Sequence, residues 1–430
     1  MKQLLSCALV TLAVACGTDR ITTDQGTETS GVSPAPTEPT APGDPAPPPE
    51  TDPATAPAPA PPPASGNPFQ EVFDQGLGKY VGSPLVAETK VTNSFAFRDI
   101  DVHHFSSAGG GPICMHGDEF FVETRKGPSD TLMIFLQGGG VCLTEVCVAT
   151  AQPMASLRLF TATSAIGIGG ILDARHDKNP ARDFNVVNAP YCDGSLFLGD
   201  VDRTISDGNW LNGKVDKVYQ RGLANITAVL ETAKRTFPNP GRVILAGASG
   251  GAYGVVLGTA LARYYYPTQP LLVLSDSGAP VVNGIDPNFI TRALTELDAI
   301  HLIPQSCQNC IANGHATGMF DWALGRDPNL TFAYMTHTRD SVIGEFFMKT
   351  SAAQFQSAVI TQTNFLLSKH PGRFFRFVIP GIEHTFLMTM GLGGLQSKGI
   401  SKEGIEFAGY EWLQTLLVNP AMTPDVFQIN

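Results

Sequence analysis

Arg242-Val243-Ile244-Leu245-Ala246 runs straight into Gly247-Ala248-Ser249-Gly250-Gly251, and the apolar residues then resume to about Tyr266. A short apolar run that breaks on glycines and continues as a longer apolar stretch predicts a buried strand, a sharp turn and a helix. Runs of the same kind lie on either side. Thr131 to Leu136 ends in Gly138-Gly139-Gly140, and Phe184 to Pro190, Leu271 to Ser275, Leu330 to Met335 and Phe374 to Ile379 complete the series of predicted strands. Between them Val215, Val218, Tyr219, Ile226, Val229, Leu230 and Ala233 recur at helical spacing until Pro238-Asn239-Pro240-Gly241 stops the run, and a last helix is expected from about Lys402 to Leu417. Strands spaced by helices predict an α/β fold: a mostly parallel sheet with helices on both faces.

The turn at Ser249 has the form Gly-x-Ser-x-Gly. In a chain with 44 glycines that pattern is weak by itself, and its plain reading is a glycine-rich turn with an ordinary exposed serine. The strand before it and the helix after it give it weight, because that setting lifts a serine above a sheet edge and aims a helix N-terminus at developing negative charge. A serine hydroxyl needs a base, and the base needs an orienting acid, expected in the order Ser, acid, His. Downstream lie His301, His315, His337, His370 and His384. His384 follows the predicted strand Phe374 to Ile379, at the carboxyl edge where ligands collect, whereas His370 precedes it at the wrong end. His337 follows the preceding strand and reads as a satisfied loop histidine. Asp340 leaves the strand just before the one that delivers His384, so it is the expected acid. Asp276 is its rival, and reads instead as a carboxylate that fixes local N–H groups. The backbone N–H groups of Gly139, Gly140 and Gly250 are the expected oxyanion donors, since glycines leave them unobstructed.

The rest of the composition bounds the setting. The chain has 430 residues, 43% of them hydrophobic and 16% charged, and its 33 prolines crowd between Ser33 and Pro68. Residues 1–15 read as an export signal, with an apolar run from Leu4 to Ala15 and small residues before Cys16. Cys16 is the expected lipidation site, and Gly17 after it resembles lipoproteins sorted to an outer membrane. Residues 16–67 read as an extended Pro/Ala/Thr-rich linker that cannot bury enough surface to fold, and 68–430 as one enzyme-sized domain. The tail carries seven of the 39 acids and two of the 28 bases, leaving 32 against 26 on the domain. That mild acidity argues against a nucleic-acid partner, and contact with a membrane is expected only through the lipid anchor. The remaining cysteines are Cys114, Cys142, Cys147, Cys192, Cys307 and Cys310. An even set in an exported chain predicts disulfides; the expected pairing is 142–147, 307–310 and therefore 114–192, although six cysteines permit 15 connectivities and spacing alone does not choose among them.

Taken together, Cys114-Met115-His116-Gly117, Gly138-Gly139-Gly140-Val141-Cys142, Asn179-Pro180, Tyr191-Cys192-Asp193-Gly194 with Gly199-Asp200, the serine turn, Asp276-Ser277-Gly278, Asp340 and His384 resemble the pectin acetylesterase and Notum family of carboxylesterases. The resemblance implies an α/β-hydrolase-like fold and the roles of nucleophile, acid and base for Ser249, Asp340 and His384. Val141 stands where the family commonly has an aromatic residue, which implies a wider wall beside the acyl group. The expectation is therefore a serine esterase that removes acetyl groups from a polysaccharide outside the cell and needs no metal or organic cofactor. Two alternatives remain open: a carboxylesterase for lipid-like acyl chains, and a catalytically silent binding module displayed on a stalk.

Overall fold

The computed structural model describes residues 66–430 apart from 84, 86, 88, 96–97, 108–109, 145–146, 149–168, 207–214, 284, 389–391 and 430. The expectations for the export signal, Cys16 and the Pro-rich tract lie outside the described residues. Ten strands form one sheet: β1 (Thr89–Phe95), β2 (Arg98–Phe105), β3 (Phe120–Arg125), β4 (Thr131–Leu136), β5 (Asn185–Ala189), β6 (Arg242–Ala248), β7 (Leu271–Asp276), β8 (Leu330–His337), β9 (Phe374–Ile379) and β10 (Val426–Phe427). Their order is β1-β2-β3-β5-β4-β6-β7-β8-β9-β10. From β5 to β10 every neighbouring pair is parallel, while β1, β2 and β3 add an antiparallel flank. The mostly parallel, α/β-hydrolase-like fold expected from the sequence is present.

The strands read as continuous apolar runs because both faces of the sheet are covered. Leu132, Ile134 and Leu136 of β4 face one core, with helices α1 (Gly222–Thr236), α2 (Gly250–Tyr265), α4 (Thr317–Arg326) and α5 (Ala352–Lys369); helix α3 (Phe289–Glu296) packs on the same side. Met133 and Phe135 face a second core, closed by Trp412, Leu413 and Leu416 of α6 (Gly409–Val418). Among the described residues no helix is long and apolar enough to cross a membrane.

Two expectations are corrected. Val215–Gln220, placed in a helix by spacing, is a strand paired antiparallel with Val201–Ser206, and the helix begins only at Gly222. The segment Val-Asp-Lys-Val-Tyr-Gln is rich in β-branched and aromatic residues, which suit a ladder, and Gln220 is pinned there by donating its side-chain amide to the Cys142 and Gly194 carbonyls. The last helix starts at Gly409, not near Lys402, because Lys398–Ile400 and Glu406–Ala408 form a small hairpin around Gly404, whose φ of +80° no helix tolerates. Disulfides join Cys114 to Cys192 and Cys307 to Cys310, two of the expected pairs. Cys142 is also disulfide-bonded and lies opposite Cys147 in a two-stranded ladder; the Cys147 side chain is outside the described ones.

Candidate active site

Ser249 joins β6 to α2 with φ 53° and ψ −119°, a conformation that costs a non-glycine residue of order 1–3 kcal/mol and persists only where the surroundings enforce it. They do so from two sides. The Ser249 N–H donates to the Asp276 carbonyl at 2.8 Å. The glycine loop presses on the turn from the other side: a Cβ on Gly138 would lie 2.6 Å from both the Ala248 carbonyl oxygen and Ser249 Cβ, so only glycine fits. A Cβ on Gly250 would in turn come within 3.0 Å of the Gly140 carbonyl oxygen. The N–H groups of Gly139, Gly140 and Gly250 donate to no group among the described residues. The loop and the first turn of α2 thus bring together the three expected oxyanion donors beside the serine.

The same edge of the sheet carries the acid and the base. Asp340, fully buried beyond β8, accepts the N–H groups of Val342 and Ile343 on Oδ1, each at 3.0 Å. Its Oδ2 faces His384 Nδ1 at 2.8 Å. A carboxylate is acceptor-only, so Nδ1 carries a proton, and in the neutral imidazole Nε2 then presents its lone pair. His384 Nε2 is buried without a hydrogen-bond partner among the described residues. An orphaned ring nitrogen of this kind calls for an explanation, and a base awaiting a proton supplies one. The Ser249 hydroxyl makes no hydrogen bond among the described residues.

Asp276, at the end of β7, fixes backbone N–H groups as expected, but those of the distant histidine loop and not local ones. Its Oδ2 accepts the N–H groups of Phe386 and Leu387 at 2.8 and 2.7 Å, and Ser277 Oγ accepts Thr385 N–H at 3.1 Å. Burial pushes the Asp276 carboxyl up to about 7, against the pull of those N–H groups and of nearby His384. The end of β7 therefore holds the serine turn by its backbone and the histidine loop by its side chains.

The other histidines downstream of Ser249 lack a buried carboxylate partner like Asp340, although His337 Nδ1 is likewise buried without a hydrogen-bond partner among the described residues. His337 is buried and stacks on Phe386 with ring centroids 4.4 Å apart, and burial lowers its pKa. His315 Nδ1 accepts the Val282 N–H at 3.1 Å, and burial pushes it down to about 4. His370, ahead of β9, pairs with Asp321 at 2.8 Å, and His301 is exposed. Among the described residues no group of three or more His, Cys, Asp or Glu side chains could hold a metal ion.

Beside Ser249 is a pocket of about 20 Å³, walled by Val141, Tyr253, Val342, Ile343 and Phe346. The sequence reading named only Val141 in this wall and missed the rest. Val342–Phe347 forms a π-helical turn directly after Asp340, and such turns concentrate at functional sites. The adjacent Phe346-Phe347 pair so close to the expected acid was the available signal. Nothing in the sequence signals that Tyr253, one helical turn past the serine, faces the same space.

Residues 101–308 match the family described as Pectinacetylesterase. Pectin acetylesterase 11 of Arabidopsis thaliana is 27% identical over 218 residues, which is 47% of this chain and 53% of that protein. Pectin acetylesterase 7 of the same plant is 26% identical over 217 residues with the same coverage. The chain spans about half the length of the curated relatives it matches. The matched family segment includes the glycine loop and Ser249 and stops short of Asp340 and His384.

Proposed function

Proceeding from the pectinacetylesterase family match across residues 101–308, we propose that this protein is a serine carboxylesterase that removes acetyl groups from a polysaccharide. The observation that carries the reading is His384: Nδ1 bonded to buried Asp340 and Nε2 unpartnered, at the sheet edge where the strained Ser249 turn emerges. Ser249 Oγ attacks the ester carbonyl as His384 Nε2 takes its proton, and the N–H groups of Gly139, Gly140 and Gly250 receive the oxyanion. The C–O bond to the sugar then breaks, and His384 returns the proton to the departing alkoxide. A water, deprotonated by the same nitrogen, attacks the acetyl-serine and releases acetate. A pocket of about 20 Å³ beside the serine has room for one small group, since about 10–15 Å³ already holds a water; this supports acetyl as the acyl group.

The disulfides Cys114–Cys192 and Cys307–Cys310 fit an exported protein. In our reading the signal at residues 1–15 directs export, acylation at Cys16 anchors the chain, and residues 16–67 are the spacer between anchor and enzyme. Labelled palmitate incorporated by the wild type and not by Cys16→Ser would support the anchor; equal labelling would refute it. For the enzyme, Ser249→Ala should reduce acetate release from acetylated polysaccharides by a factor on the order of 10⁶ with the circular dichroism spectrum preserved. Undiminished release would end the assignment.

A further inference from the structure

The pocket beside Ser249 is not the end of the space behind it. A second cavity of about 60 Å³ lies deeper, under α3, with Phe289, Leu294 and Leu297 among its lining. Three residues line both: Leu196, Tyr253 and Phe347. They come from the loop after Cys192, the first turn of α2 and the end of the π-helical turn after Asp340. From this we infer that Leu196, Tyr253 and Phe347 form a partition that sets the acyl-chain length this site accepts, an inference that rests on Ser249 being the nucleophile.

The partition is held rigidly. The Tyr253 hydroxyl donates to the Val281 carbonyl at 3.0 Å. The Phe347 ring stands between Tyr253, with centroids 6.4 Å apart, and Phe289, perpendicular at 5.9 Å. Leu196 sits at φ 60° and donates its N–H to the Tyr191 hydroxyl at 2.8 Å; a positive φ at a leucine is strain kept in place by its surroundings. Beyond the partition the lining is apolar apart from the Tyr253 hydroxyl, which is already bonded. A space with no polar atom to hold water stays dry and takes hydrocarbon readily. An acyl chain longer than acetyl would find a favourable environment there, and the partition stands in its way. The shallow pocket therefore selects for acetyl by exclusion, and opening the partition joins it to a chamber suited to several more methylenes.

The test is a chain-length profile with 4-nitrophenyl acetate, butyrate, hexanoate and octanoate. The wild type should fall off steeply after acetate. Phe347→Ala should raise the ratio of hexanoate to acetate kcat/KM at least about tenfold, since each accommodated methylene contributes appreciably to discrimination. Leu196→Ala opens the partition from the other side and should shift the ratio in the same direction, so one variant that fails to fold leaves the inference testable. Adding Ala293→Leu, which fills the deep cavity away from the serine, to Phe347→Ala should restore the short-chain preference, a reversal that a mere loosening of the fold would not produce. A wild type that cleaves hexanoate as well as acetate, or a ratio unmoved by both partition variants, overturns the inference. If Ser249→Ala abolishes all cleavage while those ratios stay flat, only the partition fails; if Ser249→Ala stays active, the esterase reading itself fails.

Discussion

Asp276 and Asp340 leave neighbouring strands of one sheet, at the same edge, and both are buried completely or nearly so. In the sequence they are rivals for a single role. In the structure they divide it: Asp340 spends one oxygen on the backbone of its own turn and one on His384, whereas Asp276 gives Oδ2 to two N–H groups of the loop that carries His384. One carboxylate therefore faces the imidazole, and the other holds the backbone behind it. The difference shows that position at the sheet edge leaves the two carboxylates alike, and that the partners of each oxygen tell them apart.

The same substitution at the two positions should separate these roles most clearly. Asp340→Asn leaves an amide oxygen for the Val342 and Ile343 N–H groups but turns an NH₂ toward His384 Nδ1, which forces the proton onto Nε2. We expect kcat to fall by about 10⁴-fold with the fold retained, as when a triad histidine is held in the wrong tautomer. Asp276→Ala strips both acceptors from the histidine loop. It should lower kcat by roughly 10²-fold through misplacement of His384 and lower stability by about 2–6 kcal/mol, at about 1–3 kcal/mol for each buried N–H left unpaired. Asp276→Asn keeps an acceptor and should stay within about tenfold of wild-type kcat, because only the charge-assisted part of the hydrogen bonds is lost. Steady-state kinetics and urea unfolding of the three variants check this order. Equal losses in Asp340→Asn and Asp276→Asn would erase the distinction.

How much of this was legible follows from which signals are local. The strands of the parallel part were readable because burial on both faces makes each an unbroken apolar run, as in Thr131–Leu136 and Phe374–Ile379. The placement of Ser249, Asp340 and His384 at one edge was readable from chain order and position after a strand. The segment Val215–Gln220 was not, since apolar residues three and four apart satisfy a helix as well as an irregularly alternating strand, even though its partner, Val201–Ser206, ends only nine residues before it. The antiparallel flank of β1 to β3 was missed for a related reason. β1 and β2 carry Thr, Asp and His on partly exposed faces, and β3 buries Glu123, Thr124 and Arg125 among its apolar residues, so no continuous apolar run marks them. Position along the chain suggested the division between the two carboxylates, but its physical basis was beyond sequence reading. It depends on hydrogen bonds spanning 110 and 111 residues from Asp276 to Phe386 and Leu387, and on which oxygen of each acid faces them.

The smallest effect lies in the pH dependence of stability. Burial raises the Asp276 carboxyl from 3.8 to about 7 in the folded protein, while an unfolded chain holds aspartate near about 3.9. Between those values the folded state keeps a proton that the unfolded state has released, so its stability falls as pH rises. The contribution is complete below the unfolded pKa and is lost as pH passes through about 7. His315 acts in the opposite sense, because burial lowers it to about 4 from 6.5, so its neutral form gains stability as pH climbs through that window. The two trends overlap in the wild type, and only a difference measurement separates them. Asp276→Asn keeps His315 and removes the titrating carboxyl. The stability of the wild type relative to Asp276→Asn, from urea midpoints at intervals between pH 4.5 and 8, should therefore decline with rising pH and level off above neutrality. Parallel curves would mean that Asp276 is ionised throughout, and that its bonds to Phe386 and Leu387 outweigh the burial that opposes its charge.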